Sequence, residues 1–372
     1  LSQLYYDRIL QELINFQIIG AIGIQAPPAR KPEKETSSFR SHFIKISGFA
    51  KKAYSHPAIE GEAFARSPGL IRLDYGENCL PAPSVLQKAL FEAFAKMHFS
   101  ADESDCRKEI LDVATNRFNF EVNDSIKITP AHGVAPLFAE IAAYCATKNA
   151  TLIFPSGSYG HFVASAQFHG ARTVTLSTQK KNHFKVSPKD LDQALSKEKK
   201  QAWLILTAPT VNPTGSVYNA KELEKIFQVA EKHQAVVILD SIFSGLEYQS
   251  QTRSKARPPI PSLKKYPSLQ WAILGGISKE FAAGGLRIGY GISSSPDVNA
   301  AWNLRYHSYP HSTLLYALKK VYQQLIDCDP ELQEALKQQK ETLRLRAKEL
   351  SKVLMKTGWT PFPSSGGLFI SA

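Results

Sequence analysis

Short, continuously apolar runs alternate along this chain with longer stretches whose apolar residues recur at helical spacing. The runs are TLIF (151–154), AWLILT (202–207), AVVILD (235–240) and WAIL (271–274). Runs that are apolar at every position suit strands covered on both faces of a parallel sheet. NAKELEKIFQVAEKH (219–233) lies between two of them and reads as a helix, which predicts a right-handed βαβ crossover. ARTVTL (171–176) and the stretch 287–292 read as further strands, and KITPAHGVAPLFAEIAAYCA (127–146) as strand, turn and helix. Pro83-Ser84 is a helix-start signal before VLQKALFEAFAKMH, with Leu86, Leu90 and Phe94 on one face. A second helix is expected over 105–118, and two long helices over 313–357. TPFPSSGGLFIS (360–371) reads as loop and strand of a smaller subdomain. At the other end, residues 1–25 have amphipathic helical spacing (Leu4, Ile9, Leu10, Leu13, Ile14, Ile18), and APPARKPEKETSS (26–38) has linker composition. That first helix is either a packing element of the same domain or the tail of a preceding one.

Composition narrows the picture. With 372 residues and 43% hydrophobic content the chain can bury a substantial core in two subdomains. The net charge of +12 resides partly in lysine-rich stretches such as QKKNHFK (179–185) and SKEKK (196–200), which read as solvated faces. A basic field also attracts anionic ligands. No zinc finger, basic zipper or aromatic-interleaved basic motif points to nucleic acid. The four cysteines (Cys79, Cys106, Cys145, Cys328) lack CxxC spacing, which argues against a metal site and a disulfide scaffold and fits a reducing, cytoplasmic setting. Neither an apolar run of about 18 residues nor a signal peptide is visible, so no membrane partner is expected. The chain starts at Leu1 and stops at SSGGLFISA, and both ends are expected to be cuts from a longer polypeptide.

The candidate chemistry centres on LGGISKEFAAGGLRIGYG (274–291). A strand-like run delivers Ser278-Lys279, and a Gly-rich turn leads to Arg287. A lysine whose amine loses charge through burial or a neighbouring cation can form a Schiff base. An arginine stays charged and makes forked contacts to phosphate oxygens. Upstream stand Asn212 in APTVNPTGSVY (208–218) and Asp240 closing the apolar run of VVILDSIFSG (236–245). In isolation an NPTG is a turn and an Asp after a strand is a helix cap or a solvated loop residue. Together, in this order and spacing, Asn212, Asp240, Lys279 and Arg287 resemble the pyridoxal-phosphate (PLP) enzymes of fold type I, the aminotransferase class I/II family.

That resemblance implies an α/β fold, a large domain with a mostly parallel sheet between helices, plus a smaller, incomplete C-terminal α+β subdomain. It also implies pyridoxal 5'-phosphate as cofactor, an amino-acid ligand and a homodimer. By the same resemblance Lys279, with Ser278 beside it, carries the cofactor covalently and is the catalytic residue. Asp240 pairs with its ring nitrogen, Asn212 hydrogen-bonds its ring oxygen, and Arg287 holds its phosphate. Gly133 falls at the family's first phosphate-binding turn, so the His132, Gly133 and Val134 amides are candidate donors at a helix N-terminus. A narrower resemblance covers the chain from about Ser47 onward. LIRLDYGENCLPAPS (70–84), APTVNPTGSVY and DSIFSGLEY are similar to the C-terminal, aminotransferase-like half of the methionine S-methyltransferase family. The S-adenosylmethionine domain of that family precedes this region; the chain has no adenosylmethionine loop of its own. The expected boundaries are 1–46 for helix and linker from a preceding domain, 47–292 for the PLP-binding domain, and 293–372 for helices and the start of the small subdomain.

Three positions depart from the family pattern. Phe243 stands where a Tyr usually supports the ring oxygen, and a Phe cannot donate that hydrogen bond. Gly157 stands at the position of the ring-stacking aromatic; Tyr159 and His161 are the nearby aromatics that could replace it or be ordinary loop residues. The arginine that grips the substrate carboxylate lies beyond Ala372, and Arg66 and Arg305 are substitutes without a positive argument. Two readings follow: a PLP enzyme acting on an amino acid, or a weakly active or inactive regulatory and oligomerisation module of a methyltransferase.

Overall fold

The computed structural model describes residues 76–95, 106–248, 260–303 and 310–372. The chain divides into two units, Leu1–Gly76 and Glu77–Ala372, and everything below concerns the second. The expected helix over 1–25, the linker, Arg66 and Arg305 lie outside the described residues.

The apolar runs become the centre of a seven-stranded sheet: β1 (Lys127–Ala131), β2 (Thr151–Pro155), β3 (Arg172–Leu176), β4 (Ala202–Thr207), β5 (Val236–Asp240), β6 (Trp271–Gly276) and β7 (Gly289–Ser293). The order across the sheet is β1-β7-β6-β5-β4-β2-β3. Only β7 runs against its neighbours, pairing antiparallel with both β1 and β6; the other pairs are parallel. Every residue of β5 and β6 is buried. The two faces separate at every second residue. Val236 and Ile238 join Trp203, Ile205, Ala272 and Leu274 in one apolar cluster. Val237 and Leu239 join Leu204, Leu206 and Ile273 in the other.

Helices cover both faces. On the first lie α3 (Ala135–Thr147), α4 (Gly160–Phe168) and α7 (Pro296–Asn303). On the second lie α1 (Ser84–Phe94), α2 (Arg107–Phe118), α5 (Pro188–Lys197), α6 (Ala220–Lys232), α8 (Ser312–Ile326) and the first turns of α9 (Pro330–Lys356). Local chemistry sets the helix starts. Asn219 and Glu222 form a reciprocal capping box at α6, and Ser187 and Asp329 cap α5 and α9 ahead of a proline. Among the described residues no helix is long and apolar enough to cross a membrane.

One expectation is corrected. Residues 360–371 contain no strand; they make an isolated bridge, Glu247 with Gly366. Their backbone groups bond to two loops instead of a sheet edge. Ser365 N–H donates to the Gly215 carbonyl (2.8 Å), Gly367 N–H to Leu246 (3.0 Å), and Tyr248 N–H to Ser365 (2.9 Å). The C-terminal segment thereby ties the loop after β4 to the loop after β5.

Candidate functional site

The carboxyl ends of β1, β2, β4, β5 and β6 share one edge of the sheet, where α/β proteins place ligands. Because β7 is antiparallel, its beginning reaches the same edge: Gly289 stands opposite both Ala131 and Gly276. Arg287, two residues earlier, is therefore delivered beside the turn that starts α3. A Cβ on Gly133 would lie 2.9 Å from the Arg287 Nη2. Gly133 itself has φ +80°, which favours glycine. Packing here is backbone on backbone. A Cβ on Gly289 would meet the Gly133 carbonyl carbon at 2.7 Å and the Val134 nitrogen at 3.0 Å. The Gly133 N–H is turned back onto the Ala131 carbonyl (2.8 Å). Gly133 thus contributes the space its missing side chain leaves, while Val134 heads α3, whose N-terminus carries partial positive charge. The Arg287 guanidinium is exposed, donates to the Gly284 carbonyl (3.1 Å) and has no acidic partner among the described residues. Together these groups make a cationic cradle.

Asp240 ends β5 and is 3% exposed. Burial pushes its pKa up to about 6, against the Ile242 amide, the Lys279 charge and the Thr207 side chain, which favour the anion. The Ile242 bond is long, 3.4 Å, and among the described residues no cation forms an ion pair with this carboxylate. Lys279 lies three residues past β6, half-buried. Burial moves its amine below the ordinary lysine range against the opposing charge of Glu77; Arg287 adds to the lowering, and Asp240 and Cys79 resist it. The Asn78 side chain donates to the Lys279 carbonyl (2.8 Å) and so fastens the segment before α1 to this turn. Ser278 is buried, and its carbonyl accepts from Ala283 (3.2 Å).

Asn212 is half-buried in a loop closed by Val211 N–H to Ser216 (2.7 Å) and Gly215 N–H to Val211 (2.9 Å). Gly157 faces this loop, since a Cβ there would lie 3.5 Å from Pro213 Cδ, and its φ of +80° disfavours any larger residue. Tyr159 stands at the N-cap of α4, its ring packed on His161 (centroids 5.0 Å apart) and Phe162 (5.3 Å). Phe243 is buried at 4% exposure and meets the Phe369 ring edge-on at 5.1 Å. It is a packing residue between the loop after β5 and the C-terminal segment.

Asn78, Arg117, Glu247 and Glu280 escape sequence reasoning. Glu280 follows Lys279 and is buried in an ion pair with Arg117 of α2 at 2.7 Å. Nothing local in the sequence signals a partner so distant along the chain.

The donor set suits pyridoxal phosphate. A nearly dry carboxylate needs a cation, burial lowers the pKa of an amine, and an arginine with no acidic partner among the described residues faces a helix N-terminus. The fold is that of the PLP fold type I aminotransferases. Thermus thermophilus aspartate aminotransferase with maleate superposes with a TM-score of 0.70 at 18% identity, over 92% of this chain and 85% of that one. The sequence profile of the family "Aminotransferase class I and II" matches residues 68–371, and the chain belongs to that family. It is also related to methionine S-methyltransferase. The Hordeum vulgare protein is 30% identical over 382 aligned positions, and the Arabidopsis thaliana protein 30% over 374; each alignment covers 100% of this chain and 34% of the relative. The chain thus spans about a third of the length of these relatives.

Proposed function

We propose that the edge site binds pyridoxal 5'-phosphate and that an amino acid is handled there. The observation that carries this is the buried, cation-deficient Asp240 placed on the same edge as Lys279 and Arg287. Bound there, the cofactor supplies an electron sink for charge developing at the amino acid's α-carbon. The chain's own groups would do the rest. Arg287, the space at Gly133 and the α3 N-terminus headed by Val134 would hold a phosphate. Asp240 stabilises a proton on the ring nitrogen, and its burial strengthens that pairing. Asn212 donates to the ring oxygen. Lys279, its amine pKa lowered by burial, serves as covalent anchor and as the base that takes and returns the α-proton. Ser278 supports the turn that carries it, and Tyr159 borders the site from α4. The same reading includes a cytoplasmic homo-oligomer.

The test is a titration of the purified protein with pyridoxal phosphate, followed by borohydride reduction and peptide mapping. The expected result is a visible absorption band and one modified peptide containing Lys279, both lost in Lys279→Ala. A protein that stays colourless and unmodified refutes the proposal.

A second reading is favoured by Phe243, which brings no hydroxyl to the site and is committed to packing against Phe369. It makes the domain a weakly active or inactive regulatory module of a methionine S-methyltransferase. In a longer parent chain, deleting this domain would then alter methyl transfer, its response to amino acids or its assembly. If all three persist unchanged, this second reading fails.

A further inference from the structure

Glu280 is 4% exposed, and Arg117 Nη2 donates to both its carboxylate oxygens at 2.7 and 2.8 Å. Burial opposes the Arg117 charge most strongly, but Glu280 together with Tyr322 and Tyr290 outweighs it and raises the guanidinium's pKa. The carboxylate fills the space beside Gly245, whose φ is +94° and where any Cβ would collide with it. The Glu280 carbonyl accepts from Gln339 of α9. Beyond Gly245, Glu247 accepts from the Gly245 N–H (3.0 Å) and from Thr210 Oγ1 (3.4 Å). One buried ion pair therefore touches the Lys279 turn and the loop after Asp240, and through Glu247 reaches the loop that carries Asn212.

We propose that Arg117 and Glu280 are positioning residues for Lys279, their ion pair fixing the turn that presents its amine at the sheet edge. Stability alone gives no reason for such a pair, because apolar residues of similar size serve a core equally well. A paired carboxylate differs from an apolar side chain in being directional. The pair is also electrically balanced, so the acid adjacent to Lys279 does not hold that amine protonated. The charges that do act on the amine are Glu77 and Cys79 from the segment before α1, Asp240 from β5, and Arg287.

This inference rests on Lys279 being the reactive amine, and it is tested first without cofactor. The pH profile of Lys279 acylation by acetic anhydride is read by peptide mass spectrometry in wild type, Arg117→Lys and the double variant Arg117→Met/Glu280→Met. The double variant keeps the core filled, and thermal melts confirm that it folds. Its Lys279 midpoint is expected to rise by about one unit, leaving about tenfold less neutral amine at pH 7.5. Pyridoxal phosphate affinity should fall in parallel, and Arg117→Lys should stay near wild type in both. An unchanged Lys279 profile in the folded double variant overturns the positioning role, whatever its melting temperature. A shifted profile in a protein whose wild type binds no pyridoxal phosphate supports the positioning role and refutes the cofactor reading instead.

Discussion

Replacing Asp240 by Asn should stabilise the protein while weakening its proposed function. The carboxyl is 3% exposed, and burial raises its pKa from 3.8 to about 6. The folded value lies above the unfolded one, so between those values the native state binds more protons. Stability therefore falls as pH rises from about 4 to about 6, and the full penalty is present at pH 8. Two units correspond to about 3 kcal/mol. Asn carries no charge to desolvate, but its amide N–H needs an acceptor, and leaving it unmet returns about 1 kcal/mol or more. A net gain of about 1–2 kcal/mol at pH 8 is expected, or about 2–8 °C in Tm for a domain of this size. Near pH 4 the gain should vanish. The same substitution removes a charge-assisted contact worth about 1.5–3 kcal/mol, so pyridoxal phosphate affinity should fall about 10- to 100-fold. Thermal melts from pH 4 to 8, with and without the cofactor, measure both. A variant less stable than wild type at pH 8, or equally stabilised at pH 4 and pH 8, would refute the burial reasoning. Unaltered affinity would refute the pairing.

Two further substitutions address the cradle. Gly289→Ala should destabilise by about 1–3 kcal/mol in denaturant unfolding, because the atoms in its way are Gly133 and Val134 backbone and cannot swing aside; unchanged stability would show that the β1 turn has slack. Arg287→Gln removes an exposed cation with no acidic partner among the described residues, so stability should move by about 0.5 kcal/mol or less. Its preference for pyridoxal phosphate over pyridoxal should shrink about tenfold or more in equilibrium titrations, and an unchanged preference would remove Arg287 from phosphate binding.

The class of fold was legible from residue order, and the same order made Asn212, Asp240, Lys279 and Arg287 candidate site residues. Continuous apolar runs such as AWLILT and VVILD can only be satisfied by burial on both faces, and the helices over 219–233 and within 313–357 need no distant partner to be recognised. Asp240 closes one such run and Lys279 comes three residues after another strand, so their place at a sheet edge follows from the strands themselves. The segment 360–371 misled because its alternation suits a strand, while its backbone partners are two loops. The reversal of β7 was not legible, because strand direction depends on which neighbours accept it across the sheet. That reversal carries Arg287 to the Gly133 turn. Gly157 and Phe243 looked like departures from a pattern. In the fold, one occupies a left-handed turn and the other joins the C-terminal segment to the core. Glu280 drew no reading from the sequence, and only its meeting with Arg117 of α2 makes it half of a buried ion pair. The sequence by itself determined which side chains with the required chemistry end which strands, because that is set by local periodicity. Tertiary structure alone decided their charge states and their partners, because desolvation and ion pairing depend on groups that meet only when distant segments pack.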